Sequence, residues 1–212
     1  MKSILCYGDS NTWGYNARTK ERFSPDVRWT GILAKELGTG YRVIEEGLNG
    51  RTTVWDDPIE GYKNGKEYLI PCLESHRPLD LVIIMLGTND LKKRFSLSAY
   101  DIASGAGVLA EIAMKSNTGY GGNPPRVLLI SPILVGDIEK TEFAEMFDNK
   151  TSVERSKKFF ENYKRIADEL GCEFMNAAEF ALPSPVDAIH LDPPEHEKLG
   201  KAVAAKVKEI IG

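Results

Sequence analysis

The residues able to do chemistry in this chain are gathered in a few short polar stretches, most of them directly after an apolar run. The first is Ile4-Leu5-Cys6-Tyr7-Gly8-Asp9-Ser10-Asn11-Thr12-Trp13-Gly14, where a buried-strand pattern ends in a glycine, an acid and a serine. The others are Gly47 after Tyr41-Arg42-Val43-Ile44-Glu45, Gly87-Thr88-Asn89-Asp90 after an apolar run, and Asp187-Ala188-Ile189-His190 near the end. A serine becomes an acyl-transfer nucleophile when a base removes its proton and an acid orients that base. His190 is the candidate base and Asp187 the candidate orienting acid. Donors must also face the oxyanion that develops on the carbonyl. The candidates are the N–H groups of Ser10 and Gly47 and the side-chain amide of Asn89. Trp13 and Ile189 flank the nucleophile and the base, and are candidates for the walls of a substrate pocket, with core packing as the alternative.

Each piece also has a structural reading. Asp9 and Ser10 suit an Asx or Ser turn, Gly47 a turn with positive φ, and Asn89, Asp90 and Asp187 suit caps. A different enzyme class is open as well: Asp9, Asp90 and Asp187 gathered around Mg²⁺, with Asp9 as phosphoryl acceptor. That reading lacks a second acid at position 11 and a Gly-rich phosphate loop. A third reading is a binding module of the same fold without chemistry, against which stands the presence of every catalytic position. An α/β-hydrolase is disfavoured because Ser10 follows the first strand and lacks the Gly-x-Ser-x-Gly context.

The elements that must position these residues follow from periodicity. Strands are expected at the front apolar run, at Tyr41–Glu45, at the continuous run Leu81–Leu86, at Val127–Ile130 and at Cys172–Asn176. Helices are expected from Ser24-Pro25-Asp26 to Gly38, in the segment ending near His76, from Ser98 to Lys115 on the spacing of Ile102, Val108, Leu109 and Ile112, from Ser152 to Leu170, and at the end with Leu199, Val203, Val207 and Ile210. The segment from Ile133 to Asn149 has no clean period and reads as an inserted lid or contact segment. Five strands alternating with helices predict a three-layer α/β/α sandwich around a parallel sheet. Ligands then bind outside the carboxyl ends of the strands, which is where the polar stretches fall. His76 and His196 read as structural, His196 on a solvated helix.

The 212 residues suit one domain, 1–212, large enough to bury most of its apolar surface. A net charge of −4 with interspersed signs gives no footprint for nucleic acid or a membrane surface. The apolar run after Met1 and Lys2 is too short for a signal peptide, and no window has the length of a membrane span. Cys6, Cys72 and Cys172 are odd in number and far apart, as in a reduced intracellular protein, with no CxxC pair for redox work or zinc.

Gly8-Asp9-Ser10-Asn11, Gly47, Gly87-Thr88-Asn89-Asp90 and Asp187-Ala188-Ile189-His190 together resemble the four blocks of the SGNH, or GDSL-type, hydrolases. Arg22-Phe23-Ser24-Pro25-Asp26-Val27-Arg28-Trp29-Thr30-Gly31, Glu45 through Thr53 and Leu79 through Asp90 are similar to stretches of that family's arylesterase/acyltransferase branch. The resemblance covers nearly the whole chain and is weakest from Ile133 to Asn149. It implies a flavodoxin-like sheet, with Ser10 as nucleophile, His190 as base, Asp187 as its partner, and Ser10, Gly47 and Asn89 as the oxyanion hole. It also implies short-chain or aryl ester substrates, acyl transfer to alcohols, no metal or organic cofactor, and a homo-oligomer, an octamer being one form. The chain departs from the pattern at Asn11, where Leu or Ile is usual, at Trp55, and in the Ile133–Asn149 segment. The expectation is a cytoplasmic serine esterase acting on a small-molecule ester, with no nucleic-acid or membrane partner.

Overall fold

The computed structural model describes residues 1–212. Its strands are β1 (Lys2–Gly8), β2 (Tyr41–Gly47), β3 (Leu81–Met85), β4 (Arg126–Ser131) and β5 (Glu173–Asn176). Its helices are α1 (Ser10–Trp13), α2 (Trp29–Leu37), α3 (Gly65–His76), α4 (Ala99–Met114), α5 (Asn149–Lys157), α6 (Phe159–Leu170) and α7 (Pro193–Ile211). All five strands are parallel and form one sheet in the order β2-β1-β3-β4-β5, the flavodoxin-like order.

Alternation along each strand builds the layers. Leu5, Tyr7, Val82, Ile84 and Leu129 pack on the side of α3, α4 and α6, whereas Ile4, Cys6, Leu81, Ile83 and Leu128 pack on the side of α2 and α7. With helices on both faces, every residue of β3 is buried, which explains its unbroken apolar run. The sheet order reverses beside β1, so the ends of β1 and β3 open a crevice. Gly8 pairs with Gly47 on one side and with Met85 on the other. The segments that follow these three strand ends are therefore neighbours.

Several elements differ from the sequence expectation. The helix expected from Ser24 begins at Trp29, because Ser24 to Arg28 form a separate turn in which Val27 and Arg28 N–H both reach the Ser24 carbonyl. Arg28 is extended there (φ −63°, ψ 144°), and its guanidinium grips Glu45 at 3.1 and 2.5 Å and donates to the Phe23 carbonyl. Gly31 lets this turn lie on α2, since a Cβ would stand 1.6 Å from the Pro25 carbonyl oxygen. The Arg22–Gly31 stretch is thus a brace between α2 and β2. The helix expected over 152–170 is two, interrupted at Lys158 (φ −91°, ψ 0°). Val108, expected on the core face of α4, is partly exposed. No helix is long and apolar enough to cross a membrane.

His196 is the largest correction, because it is fully buried where a solvated position was expected. Its Nδ1 accepts the Trp29 N–H at 3.2 Å, one of the donors that the first turn of α2 leaves without an intrahelical partner. Burial, with the charges of His190 and Arg28, pushes its pKa down to about 3. The unfolded chain therefore binds a proton there between about pH 6.5 and 3 that the native chain does not, so this site removes stability as pH falls. His196→Gln keeps an acceptor for Trp29 and cannot titrate. In urea melts, the stability advantage of wild type over His196→Gln should shrink by about 2 kcal/mol between pH 7.5 and pH 5. A difference independent of pH would show that His196 is not held neutral.

Candidate active site

β1 ends at Gly8, and Asp9 caps the four-residue helix α1 by accepting the Asn11 N–H at 2.9 Å. Ser10 is thereby the first residue of a short helix at the crevice, its side chain facing the segment that follows β5. His190 meets it there: Ser10 Oγ lies 2.8 Å from His190 Nε2, and His190 Nδ1 lies 2.6 Å from Asp187 Oδ2. A carboxylate can only accept, so Nδ1 carries the ring proton, and Nε2 is left to accept from the Ser10 hydroxyl. All three residues are buried. Burial pushes the Asp187 carboxyl up. The His190 hydrogen bond and charge and the His190 and Ile189 N–H groups outweigh it and hold the pKa below the usual value.

The short tether from acid to base closes through Ala188, which takes φ 65°. Asp187 Oδ1 accepts the N–H of both Ile189 and His190 at 3.0 Å, and the Ser184 N–H donates to the His190 carbonyl at 2.6 Å. One carboxylate thus folds the turn and orients the ring. Asn11 holds the same turn from the nucleophile's side, its amide donating to the Ile189 carbonyl at 3.2 Å and accepting the Leu191 N–H at 3.0 Å. Sequence reading identified Asn11 only as a departure from the family pattern, and the structure supplies its role. The Tyr15 ring lies 4.4 Å and the Phe143 ring 5.8 Å from the His190 ring, centre to centre.

Asn89 follows β3. One hydrogen of its amide goes to the Arg51 carbonyl at 3.1 Å, leaving the second for a ligand, since an amide nitrogen carries two. Gly87 before it takes φ 135°, and a Cβ there would stand 2.2 Å from the Tyr163 hydroxyl, which donates to the Leu86 carbonyl at 2.6 Å. Asp90 holds Thr53, accepting its N–H and hydroxyl at 3.1 and 2.5 Å. Burial raises the pKa of Asp90, and likewise of Asp9, to about 6. Asp9, Asp90 and Asp187 each hold a different local group: the Asn11 N–H, Thr53 and His190.

A cavity of about 210 Å³ brings Ser10, His190, Asn89 and Ile189 to one surface. Its apolar wall is Phe143, Met146 and Phe147, from the segment without periodicity, and its polar wall is Asn49, Glu60, Lys63 and Lys92. The Ile133–Asn149 segment is therefore part of the pocket. Lys92 is buried against Glu60 at 2.5 Å, and Arg94 reaches the same carboxylate at 2.8 Å, which fixes this wall. Nothing in the Leu91-Lys92-Lys93-Arg94 run distinguished Lys92 as buried. Two sequence candidates fall elsewhere. Trp13 lies outside the cavity with the Arg22 guanidinium 5.3 Å above its ring. Gly47 also lies outside it: a Cβ there would stand 2.2 Å from the Trp13 nitrogen, so glycine is required for α1 to pack on β2. Gly50, three residues on at φ 81°, lines the cavity instead. Clefts of about 600 and 770 Å³ elsewhere are roomier, so chemistry and not size identifies the site.

Residues 6–197 match the model of the GDSL-like Lipase/Acylhydrolase family. Among solved structures, the chain is similar to an inhibitor-bound aryl esterase of M. smegmatis, at 40% identity and TM-score 0.94 over 100% of both chains. It is equally similar to a carbohydrate acetylesterase from Sinorhizobium meliloti, at 40% identity and TM-score 0.95, again over 100% of both. A lipase/acylhydrolase from Enterococcus faecalis shares the fold at 18% identity and TM-score 0.69, over 99% of this chain and 96% of that one. No match is found among curated proteins.

The Asn11 clamp can be tested by the residue usual at its position. Asn11→Leu leaves the Ile189 carbonyl and the Leu191 N–H buried without partners, at about 1–3 kcal/mol each. Urea melts should show that loss. Turnover should fall by about tenfold as His190 loses its registration, less than the 100-fold of an ångström-scale misplacement. Unchanged stability and turnover would mean that the turn is held by Asp187 and Ser184 alone.

Proposed function

This chain belongs to the GDSL-like lipase/acylhydrolase family, and from that premise we propose that it cleaves small carboxylic esters through an acyl-enzyme on Ser10. The observation that carries the proposal is the continuous relay from the Ser10 hydroxyl through both nitrogens of His190 to Asp187. His190 takes the hydroxyl proton as Ser10 attacks the ester carbonyl. Asp187 keeps the ring oriented and stabilises the imidazolium as it forms. The oxyanion is met by the second amide hydrogen of Asn89, the Ser10 N–H and the backbone of Gly50, which takes the part first assigned to Gly47. Collapse passes the proton from His190 to the leaving alkoxide and leaves the acyl group on Ser10. Water, deprotonated by the same imidazole, then releases the acid.

The cavity narrows the substrate. At about 210 Å³ it is smaller than the roughly 300–1,000 Å³ of pockets for drug-sized ligands, which favours short acyl groups. Its apolar wall suits the acyl chain or an aryl group, and Asn49, Glu60, Lys63 and Lys92 suit a hydroxyl-bearing alcohol. Aryl esters and sugar acetates, the substrates named for the two relatives, fit these two walls. The Tyr15 and Phe143 rings over His190 shield the acyl-enzyme, so a second alcohol competes with water and acyl transfer accompanies hydrolysis. We extend the proposal to a homo-oligomer in the reduced interior of the cell, without a nucleic-acid or membrane partner.

Two measurements test this. Ser10→Ala should lower turnover by about 10⁶-fold, as in triads whose members act as a unit, while the protein remains folded. A panel of p-nitrophenyl esters and acetylated sugars should show kcat/KM falling steeply beyond short acyl chains. Substantial turnover in purified Ser10→Ala, or a preference for long acyl chains, would contradict the proposal.

A further inference from the structure

Where α3 lies beside the end of β2, three side chains with no part in the ester chemistry converge. Cys72 and His76 stand four residues apart on the last turns of α3 and so share one face of the helix. Glu46, the penultimate residue of β2, meets them there, with Oε1 2.8 Å from His76 Nε2. One ligand atom from each of Glu46, Cys72 and His76 lies within 4.8 Å of the others. We propose that Glu46, Cys72 and His76 form a binding site for a thiophilic divalent cation, Zn²⁺ being the best match, independent of the catalytic serine.

The donor set is the argument. Thiolate, imidazole and carboxylate together are ligands of Zn²⁺, and two of them at i and i+4 of one helix arrive prearranged. Bond lengths of about 2.0–2.3 Å separate tetrahedral ligand atoms by about 3.3–3.7 Å. The Glu46–His76 pair needs only to open by about half an ångström to admit an ion. Both residues are partly exposed while Cys72 is buried, so the ion enters on the Glu46 side. A cleft of about 770 Å³ runs up to Glu46 past Asp56 and Glu67. These acids attract a cation, and the cleft provides water for the fourth position. Arg51 lines the same cleft as an opposing charge, but its guanidinium is engaged 4.1 Å from the Tyr7 ring and donates to the Glu46 carbonyl.

Binding balances as a proton exchange. Burial, with Glu46 beside it, pushes the Cys72 thiol up to about 12, so the sulfur is protonated at neutral pH. The ion displaces that proton to solvent and forms the metal–sulfur bond. Without the ion His76 Nε2 carries the ring proton and donates it to Glu46. On binding, that proton passes to solvent as Nδ1 takes one up, Nε2 gives its lone pair to the ion, and no oxidation state changes. Bound there, the ion ties α3 to the end of β2, directly before the loop that carries Asn49 and Gly50 to the catalytic cavity.

Co²⁺ titration of the whole chelator-stripped protein tests this, because a cobalt thiolate announces itself by a near-ultraviolet charge-transfer band. One Co²⁺ per chain should produce that band together with the visible bands of a tetrahedral ion, and Zn²⁺ should abolish both. Cys72→Ser should remove the charge-transfer band. Glu46→Gln and His76→Gln, at partly exposed positions, should each weaken binding by more than the roughly 10- to 100-fold lost with an outer-shell partner. No band at millimolar Co²⁺ would overturn the proposal. So would a band that survives Cys72→Ser, one that disappears instead in Cys172→Ser, or affinity unchanged in both Glu46→Gln and His76→Gln.

Discussion

The His190 ring is held between a carboxylate three residues before it and a hydroxyl 180 residues before it. That single imidazole has to satisfy a local turn and the far end of the chain at once, with both ring nitrogens engaged. A hydrogen bond tolerates only a few tenths of an ångström before it weakens, so both backbones must be fixed independently. On one side Asp9 caps α1 and sets Ser10 at the end of β1. On the other, Asp187 accepts two backbone N–H groups as well as the ring. Asn11 then bolts the two sides together, through partners on either side of His190.

The parallel sheet makes this possible. Its order brings the ends of β2, β1 and β3 side by side, so the loops bearing Gly50, Ser10 and Asn89 converge without any of them being long. Bracing is then repeated between loops. Asp90 holds Thr53, Asn89 holds the Arg51 carbonyl, and Arg51 reaches the Gly8 and Glu46 carbonyls. Ion pairs pin the remaining wall, where buried Lys92 and partly exposed Arg94 share Glu60. A cavity assembled in this way is preorganised, as charge stabilisation in a transition state requires.

What was legible in the sequence was what period and punctuation encode. The apolar runs ending in Gly8, Gly47 and Gly87 marked strand ends, the alternation with helices gave the layers, and four polar blocks pointed to one edge. Long-range contacts were not legible. His196 lies between two glutamates in sequence and looks solvated, yet α7 turns it onto the start of α2. Gly47 and Gly50 are three residues apart, and only the packing of α1 distinguishes the glycine that must be small from the one that faces the cavity. The unpatterned 133–149 stretch concealed Phe143 and Phe147 because a pocket wall needs no periodicity. Cys72 reads in the sequence as one of three reduced cysteines and His76 as structural, and only the packing of α3 beside β2 brings Glu46 to them.

In the proposed mechanism His190 activates Ser10 and no other nucleophile. Peptide mapping after brief exposure to an organophosphonate reads this directly, because the reagent reports which oxygen is activated. A single adduct is expected, on Ser10, and it should be lost in folded His190→Ala. An adduct on any other residue, or equally fast labelling of Ser10 without the imidazole, would contradict this mechanism.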